Sequence, residues 1–359
     1  MWTAVRWSPD DWAKFGDPWS IRRFEQSVIV KMATGDVRAV PYDMPIVGYG
    51  AKNIGTLRLW QTEPIKAVDF FQFNEQRYEQ AAADRNRAED IVKFLYPNDS
   101  RREGKQMRIK QQYVLVSASL QDMLRAYKQR HGDDYAWFVE EHAVQLNDTH
   151  PVMAIPELIR LLMEDDFTFE AAFQIARETF AYTNHTVMQE ALEKWDADLM
   201  ASVCPEIVQI VHWINDKFKT EMYEKGFDVK KTRCILWDNQ IHMAQLAVYA
   251  SYATNGSAGC LGVAVLSTDA NAGLTHSADS SGDADSGDAQ GDIAPAALGH
   301  DGLQLSHELL GFGGSLVHLP VTGNNGLAIL SVHFPFSPFM KHRWPKSHDA
   351  VLQSYGIMM

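Results

Sequence analysis

Gln145-Leu-Asn-Asp-Thr-His-Pro151 continues directly from the apolar run Ala143-Val-Gln-Leu146, and Ala181-Tyr-Thr-Asn-His-Thr186 follows the apolar stretch between Phe173 and Phe180. The first reads as a short buried strand that delivers Asp148 and His150 to a loop. The second reads as the end of a helix that delivers Asn184 and His185. Small polar and ionisable residues placed directly after apolar segments are the mark of an α/β protein, whose chemistry collects at strand ends and helix-flanking loops. A plainer reading of the same four residues stays open. Asp and Asn cap helices and close turns routinely, with no chemical duty at all.

Outward from these runs, residues 25–60 read as β-rich. Val28-Ile-Val30 and Val37-Arg-Ala-Val40 are short strands broken by Gly35-Asp36 and by Pro41. From Glu75 the pattern turns helical. Residues 81–95 are rich in Ala, Arg and Glu and end at Pro97. Apolar spacing through Met107, Tyr113, Val116, Leu120 and Leu124 predicts one long helix over 103–130, stopped by Gly132-Asp133. Further helices are expected over 154–163, 169–180, 188–200, 207–223 and 241–252, with a polar connector at 226–234.

The chain has 359 residues, enough for one large α/β domain or two average ones, and it carries a net charge of −13. That balance argues against a nucleic-acid or anionic-membrane partner, which calls for a basic footprint. Cys204, Cys234 and Cys260 are few and widely spaced, as in a reducing compartment. The Trp2 to Trp19 region is polar and unlike a signal peptide, and no apolar run reaches the roughly 18–20 residues that span a bilayer. A cytoplasmic protein is expected.

Several separated strings, in order, resemble one family. They begin with Ala39-Val-Pro-Tyr-Asp43, Pro45-Ile-Val-Gly-Tyr49 and Thr56-Leu-Arg-Leu-Trp60. Asp84-Arg-Asn86, Leu95-Tyr-Pro-Asn-Asp99, Glu103-Gly-Lys105, Arg108-Ile-Lys-Gln-Gln-Tyr113 and Ala118-Ser-Leu-Gln-Asp122 continue them. The Asn-Asp-Thr-His-Pro run follows, then Ala154-Ile-Pro-Glu-Leu158, Tyr182-Thr-Asn-His-Thr-Val187 and Glu190-Ala-Leu-Glu-Lys-Trp195. His242-Met-Ala244 and Thr254-Asn-Gly256 close the series. From about residue 12 to 256 the chain resembles the α-glucan (glycogen, starch and maltodextrin) phosphorylases, most of all the shorter bacterial members.

The resemblance implies the greater part of the first lobe of a two-Rossmann-lobed, GT-B type glycosyltransferase, with a mainly parallel sheet. It implies phosphorolysis of terminal α-1,4-linked glucose to glucose 1-phosphate. Such a reaction needs a slot for the terminal sugar, an acid for the leaving oxygen and stabilisation of oxocarbenium charge. In the family the acid is phosphate beside the phosphate group of pyridoxal phosphate, which a lysine of the second domain holds. The partners implied are an α-1,4-glucan or maltooligosaccharide, inorganic phosphate, and a second copy in a homodimer.

Carried over by position, His185 matches the catalytic-site histidine that meets the glucose 6-hydroxyl and turns its backbone carbonyl to the reacting carbon. Asn184 precedes it in the same sugar-binding turn. Asp148 and His150 match residues lining the channel beside the catalytic site, with an Asx turn before Pro151 as the alternative reading. Asn98, Asp99 and Ser100 match the mobile loop that gates substrate access, and Ser100 replaces the asparagine common in animal enzymes. Arg108 matches an arginine next to that loop, or is a solvated helix-face charge. Glu190 matches the glutamate after the histidine turn, and Gln189 stands where many members have proline, a change that loosens the turn.

Beyond 256 the character changes. Residues 276–293 form a Ser/Gly/Asp/Ala tract without an apolar period, which cannot build a core. Gly311-Phe-Gly-Gly314 and Gly323-Asn-Asn-Gly326 flank short apolar runs, and an aromatic patch lies around Phe334 to Trp344. The expected division is therefore an incomplete phosphorylase domain at 1–256 and an unrelated tail at 257–359, frame-shifted or disordered. The family's Gly-rich loop would precede this chain, and its cofactor lysine and phosphate-binding cluster would follow residue 256. No cofactor-binding residue is expected here, and the chain is expected to be inactive alone. Two other classes compete: a non-catalytic glucan-binding or regulatory module, and a metal-dependent hydrolase using Asp148, His150 and His185. The last lacks a third histidine at metal spacing.

Overall fold

A computed structural model of the chain describes residues 20–47, 50, 54–95, 97–185, 192–229 and 234–256, and the backbone of two strands farther on. The first part is antiparallel. Strands β1 (Ile21–Arg22) and β2 (Val28–Val30) both pair with β3 (Val37–Val47), which pairs along its length with β4 (Ile54–Glu63). The connection from β3 to β4 is short, and a short connection can only return the chain antiparallel.

Pro41 does not break the strand as expected: β3 runs through both Pro41 and Pro45. The Pro41 carbonyl accepts from the Arg23 backbone N–H. Residue 41 therefore faces the β1 side, and Pro45, four residues on, faces the same way. Both missing N–H groups point away from β4, so the β3–β4 ladder loses nothing.

The second part is parallel. Strand β5 (His142–Asn147) pairs parallel with β6 (Phe180–Asn184), which pairs parallel with β10 (Ala253–Gly256). The expected strand at 143–146 is thus an interior one. Its burial alternates along the strand, with Val144 and Leu146 inside. The sheet as a whole is mixed, which corrects the expectation of a mainly parallel one.

Residues 327–331 and 353–358, within the tail expected to be unrelated and disordered, are both strands. β11 (Leu327–Ser331) pairs antiparallel with β4 and with β12 (Gln353–Met358), which in turn pairs parallel with β5. They join the antiparallel and parallel halves.

Helices α1 (Phe70–Asn74) and α2 (Tyr78–Lys93) follow β4. The long helix α3 (Arg102–His131) covers the predicted 103–130 and stops at Gly132, whose φ of +65° suits glycine best. It is apolar nearly all round through its middle, from Tyr113 to Leu120, because it lies against β2 and β11 on one side and α5 on the other. Leu115 and Leu120 are fully buried, and truncating either to alanine should cost roughly 2–5 kcal/mol. α4 (Phe138–Glu141) leads into β5, and α5 (Ala154–Glu164) and α6 (Phe169–Thr179) form the crossover to β6. Pro156 sits in the first turn of α5, where an N–H has no intrahelical partner to lose.

The helix expected over 188–200 is corrected. Residues 186–191 lie outside the described residues, Lys194–Asp196 is strand β7, and only Ala197–Ala201 is helical, as α7. Asp196 explains the switch: its side chain accepts from Leu199 N–H at 2.8 Å and caps α7. α8 (Pro205–Glu224) follows. β7 pairs with β9 (Gln240–His242), which pairs with β8 (Leu236–Trp237), and α9 (Met243–Tyr249) leads to β10. The start of the helix predicted over 241–252 is therefore strand. Among the described residues no helix is long and apolar enough to cross a membrane.

Candidate functional site

The parallel strands β5, β6 and β10 bring their carboxyl ends to one edge, where open α/β sheets bind ligands. Asp148 is the first residue past β5. Its backbone N–H donates to Thr183 O at 2.8 Å, which extends the β5–β6 ladder by one step. Its φ of +59° lies in the left-handed region, which Asp tolerates better than most residues. That geometry swings the carboxylate across to β6, where Oδ1 accepts from the His185 backbone N–H at 2.9 Å. The His185 imidazole is exposed, and its Nε2 lies 3.4 Å from Asn147 Oδ1. Asn184, the last residue of β6, is buried and pairs across to Gly256 of β10.

A second cluster centres on Glu193. Its carboxylate meets four side chains: Arg108 Nη2, Gln112 Nε2 at 3.1 Å, Thr149 Oγ1 at 3.4 Å and His150 Nδ1 at 3.0 Å. Arg108 and Gln112 project from α3, whereas Thr149 and His150 come from the turn after β5. Arg108 also donates through Nη1 to Asp99 Oδ2 at 2.5 Å, and its guanidinium lies over the Trp195 ring. The helix-face alternative for Arg108 is therefore corrected, since the guanidinium is shared between two carboxylates. Charge-assisted bonds of this kind are roughly twice as strong as neutral ones.

Segment 97–100 is held locally as well. Ser100 is exposed, and its backbone N–H donates to Asn98 Oδ1 at 2.9 Å, an Asx turn. Gly104 in the first turn of α3 lies under this segment. A Cβ there would stand 1.9 Å from the Asn98 carbonyl oxygen. Tyr182 of β6 is fully buried, and its phenol has no hydrogen-bond partner among the described residues. Burial first, then the negative charges of Asp148 and Glu193, push that phenol above its ordinary value.

Asp99, Asp148, His150 and His185 thus come from three separated stretches and are joined through Arg108, Glu193 and the β5–β6 ends. Glu190 lies outside the described residues. Glu193 was missed by sequence reasoning, although it stands in the Glu190-Ala-Leu-Glu-Lys-Trp195 string. The metal reading finds no support in this arrangement, because Asp148 binds the His185 backbone and His150 turns to Glu193. Among the described residues no group of three His, Cys, Asp or Glu side chains could hold a metal ion.

What this edge offers chemically is a set of hydrogen-bonding groups for a polyol: imidazoles, carboxylates and amides. No lysine is among the side chains gathered there, and the single guanidinium is committed to Asp99 and Glu193.

A family profile described as carbohydrate phosphorylase matches residues 5–269, thirteen residues past the boundary expected at 256. A glycogen phosphorylase of Saccharomyces cerevisiae is 39% identical, over 70% of this chain and 31% of its own length. Alpha-glucan phosphorylase 2, cytosolic, of Arabidopsis thaliana is likewise 39% identical, over 70% of this chain and 33% of that protein. A glycogen phosphorylase of Synechocystis is 37% identical, over 69% of this chain and 32% of its own. The chain spans about a third of the length of the curated relatives it matches.

Proposed function

The chain belongs to the carbohydrate phosphorylase family, and we propose that it carries one wall of an α-1,4-glucan cleft used in phosphorolysis to glucose 1-phosphate. The observation that carries the reading is the juncture of β5 and β6, where Asp148 pins the backbone entering His185. In this reading His185 contacts the terminal glucose, and Asn184, Asp148 and His150 line the channel beside it. Asp99 and Ser100 border its access, and Glu190, by its match to the glutamate that follows the histidine turn in the family, is assigned to the substrate as well. Pinning matters because a hydrogen bond to a sugar hydroxyl is useful only if its donor is held to within about half an ångström. Pyridoxal phosphate and inorganic phosphate are the cofactor and co-substrate of the intact reaction, whose remaining groups lie outside the cleft residues described above.

Calorimetric titration with maltooligosaccharide, paired with an assay for glucose 1-phosphate, tests the proposal. Binding that His185→Ala weakens supports the cleft. Binding without phosphorolysis favours a glucan-binding or regulatory module derived from a phosphorylase. Absence of binding would remove the cleft reading. A homodimer is the proposed assembly, supported by Phe70, Phe71 and Phe73 of α1, which are 77, 66 and 51% exposed. A cytoplasmic location and no nucleic-acid or membrane partner complete the reading, supported by the acidic balance of the chain.

We further propose that the sequence from about 257 onward arises from a reading-frame change or a misassembled gene. Its composition supports this, whereas the family match through residue 269 and the pairing of β11 and β12 in the sheet weigh on the other side. Reading the other frames of the gene beyond the Gly256 codon decides it. Phosphorylase-like sequence there supports the frame change, and its absence overturns it.

A further inference from the structure

We propose that β4 and β5 frame a slot two strands wide, whose occupant is the chain's own pair β11 and β12. By filling it, the pair holds the strand that leads to Asp148. The observation is one of sheet order. β4 pairs with β3 on one side, β5 pairs with β6 on one side, and among the described residues β11 and β12 alone lie between them. β11 runs antiparallel to β4, from Leu327 opposite Trp60 to Ser331 opposite Thr56. β12 runs parallel to β5, from Gln353 opposite His142 to Ile357 opposite Leu146. The ladder between the two extends from Ala328 opposite Met358 to Ser331 opposite Tyr355.

Without this pair the sheet falls into two pieces, the antiparallel β1 to β4 and the parallel β5, β6 and β10. Each piece would carry a row of unpaired backbone groups along one side. Trp60 of β4 and Val144 and Leu146 of β5 are buried, and α3 lies against β11 with an apolar middle, so the slot lies in the core. Such a slot prescribes its occupant: two strands antiparallel to each other, one of them running with β5. Leu327-Ala-Ile-Leu330 is an unbroken apolar run, the pattern of a strand covered on both faces rather than on one. Asp148 is the first residue past β5. A β5 held by β6 alone is an edge strand, and edge strands fray first. The inference does not depend on the glucan-cleft reading, and it stands whichever coding frame gave rise to the tail.

Cross-linking in the full chain tests the occupant. Thr56 is exposed and stands opposite Ser331. Facing residues of an antiparallel pair are about 4.5–5.5 Å apart at Cα, within reach of a disulfide. Thr56→Cys with Ser331→Cys should oxidise to an intrachain disulfide, whereas Thr56→Cys with the out-of-register Leu327→Cys should not. Both carry Cys260→Ser, and the native Cys204 and Cys234 are buried. Peptide mapping identifies the link, and non-reducing electrophoresis tells one chain from two. An interchain disulfide would give the slot to the tail of a second copy, and equal yields for the two variants would leave it without an in-register occupant. Either overturns the proposal.

The hold on β5 is read by hydrogen exchange. β12 lies between β11 and β5, so each of its N–H groups faces a neighbour, and Gly356→Pro removes one from the ladder. Amides of 142–147 should then exchange roughly tenfold faster or more, while those of the separate β7, β9 and β8 sheet keep their native rates. Unchanged exchange in 142–147 overturns the hold. If Gly356→Pro does not fold, the oxidised and reduced forms of the Thr56→Cys, Ser331→Cys chain are compared instead. Locking β11 should slow exchange in 142–147, and equal rates overturn the hold.

Discussion

The Asp148 carboxylate accepts a hydrogen bond from the backbone N–H of His185 at 2.9 Å, joining residues 37 positions apart. The bond depends on a left-handed Asp148, since only that turn sends its side chain across to β6. Asp148→Ala loses both the acceptor and the residue type that tolerates φ of +59°. A destabilisation of roughly 1–3 kcal/mol is expected, with Asp148→Asn costing less because it keeps an acceptor and the turn preference. Urea unfolding of the two variants checks the order. Equal costs would mean that neither the turn preference nor a neutral acceptor accounts for the loss, and that the carboxylate charge is what Asp148 supplies.

Gly104 is the second position where geometry leaves little choice. A methyl group at 1.9 Å from a backbone carbonyl oxygen cannot be relieved by a side-chain rotation. Gly104→Ala should therefore displace segment 97–100 from the first turn of α3 and break the Asp99–Arg108 pair. Trypsin cleavage at Arg101 should accelerate several-fold while far-ultraviolet circular dichroism stays native, because the rest of α3 is anchored by its own core. Unchanged cleavage would show that the backbone absorbs the methyl group elsewhere.

Much of this was legible before the structure. The interior strand before Asp148 and the helix across the sheet follow from apolar period and stop signals. What failed did so for long-range reasons. Pro41 reads as a breaker unless one knows which side of β3 lacks a full-length partner. The 188–200 helix gave way to strand β7 because pairing with β9, about 45 residues on, overrides local propensity. Glu193 stayed hidden because its importance comes from Arg108, Gln112, Thr149 and His150, and sequence spacing shows none of those meetings.

Glu157 gives a prediction about the scaffold behind the site. Its carboxylate is fully buried and accepts from Arg160 Nε at 2.7 Å, Arg160 Nη2 at 2.9 Å and Ser117 Oγ at 2.6 Å. Removing one member of a buried pair strands the other, so Glu157→Ala should cost about 3–5 kcal/mol. Replacing both residues with apolar ones of similar volume, as Glu157→Met with Arg160→Leu, should cost far less than the single change. Chemical unfolding of the single and double variants checks this. A double variant as unstable as Glu157→Ala would show the pair to be stabilising in its own right.

The last prediction turns on His142, at the opposite end of β5 from Asp148. Its ring is buried, stacks on Phe138 at 4.5 Å between centroids, and places Nδ1 3.0 Å from the Phe138 carbonyl oxygen. Burial pushes its titration down from 6.5 to about 4. Above pH 6.5 the ring is neutral folded or unfolded and contributes no pH dependence. As pH falls from there toward 4, the unfolded chain takes up a proton that the folded chain refuses. Stability is therefore lost across that window and levels off below it, by about 3 kcal/mol in all. His142→Phe keeps the stacked ring and removes the titration. Its unfolding free energy should fall less steeply than that of the native chain between pH 6.5 and 4, while the carboxylates shared by both proteins cancel in the difference. Parallel profiles would mean that His142 becomes protonated in place, and that the aromatic pocket around it admits a charge.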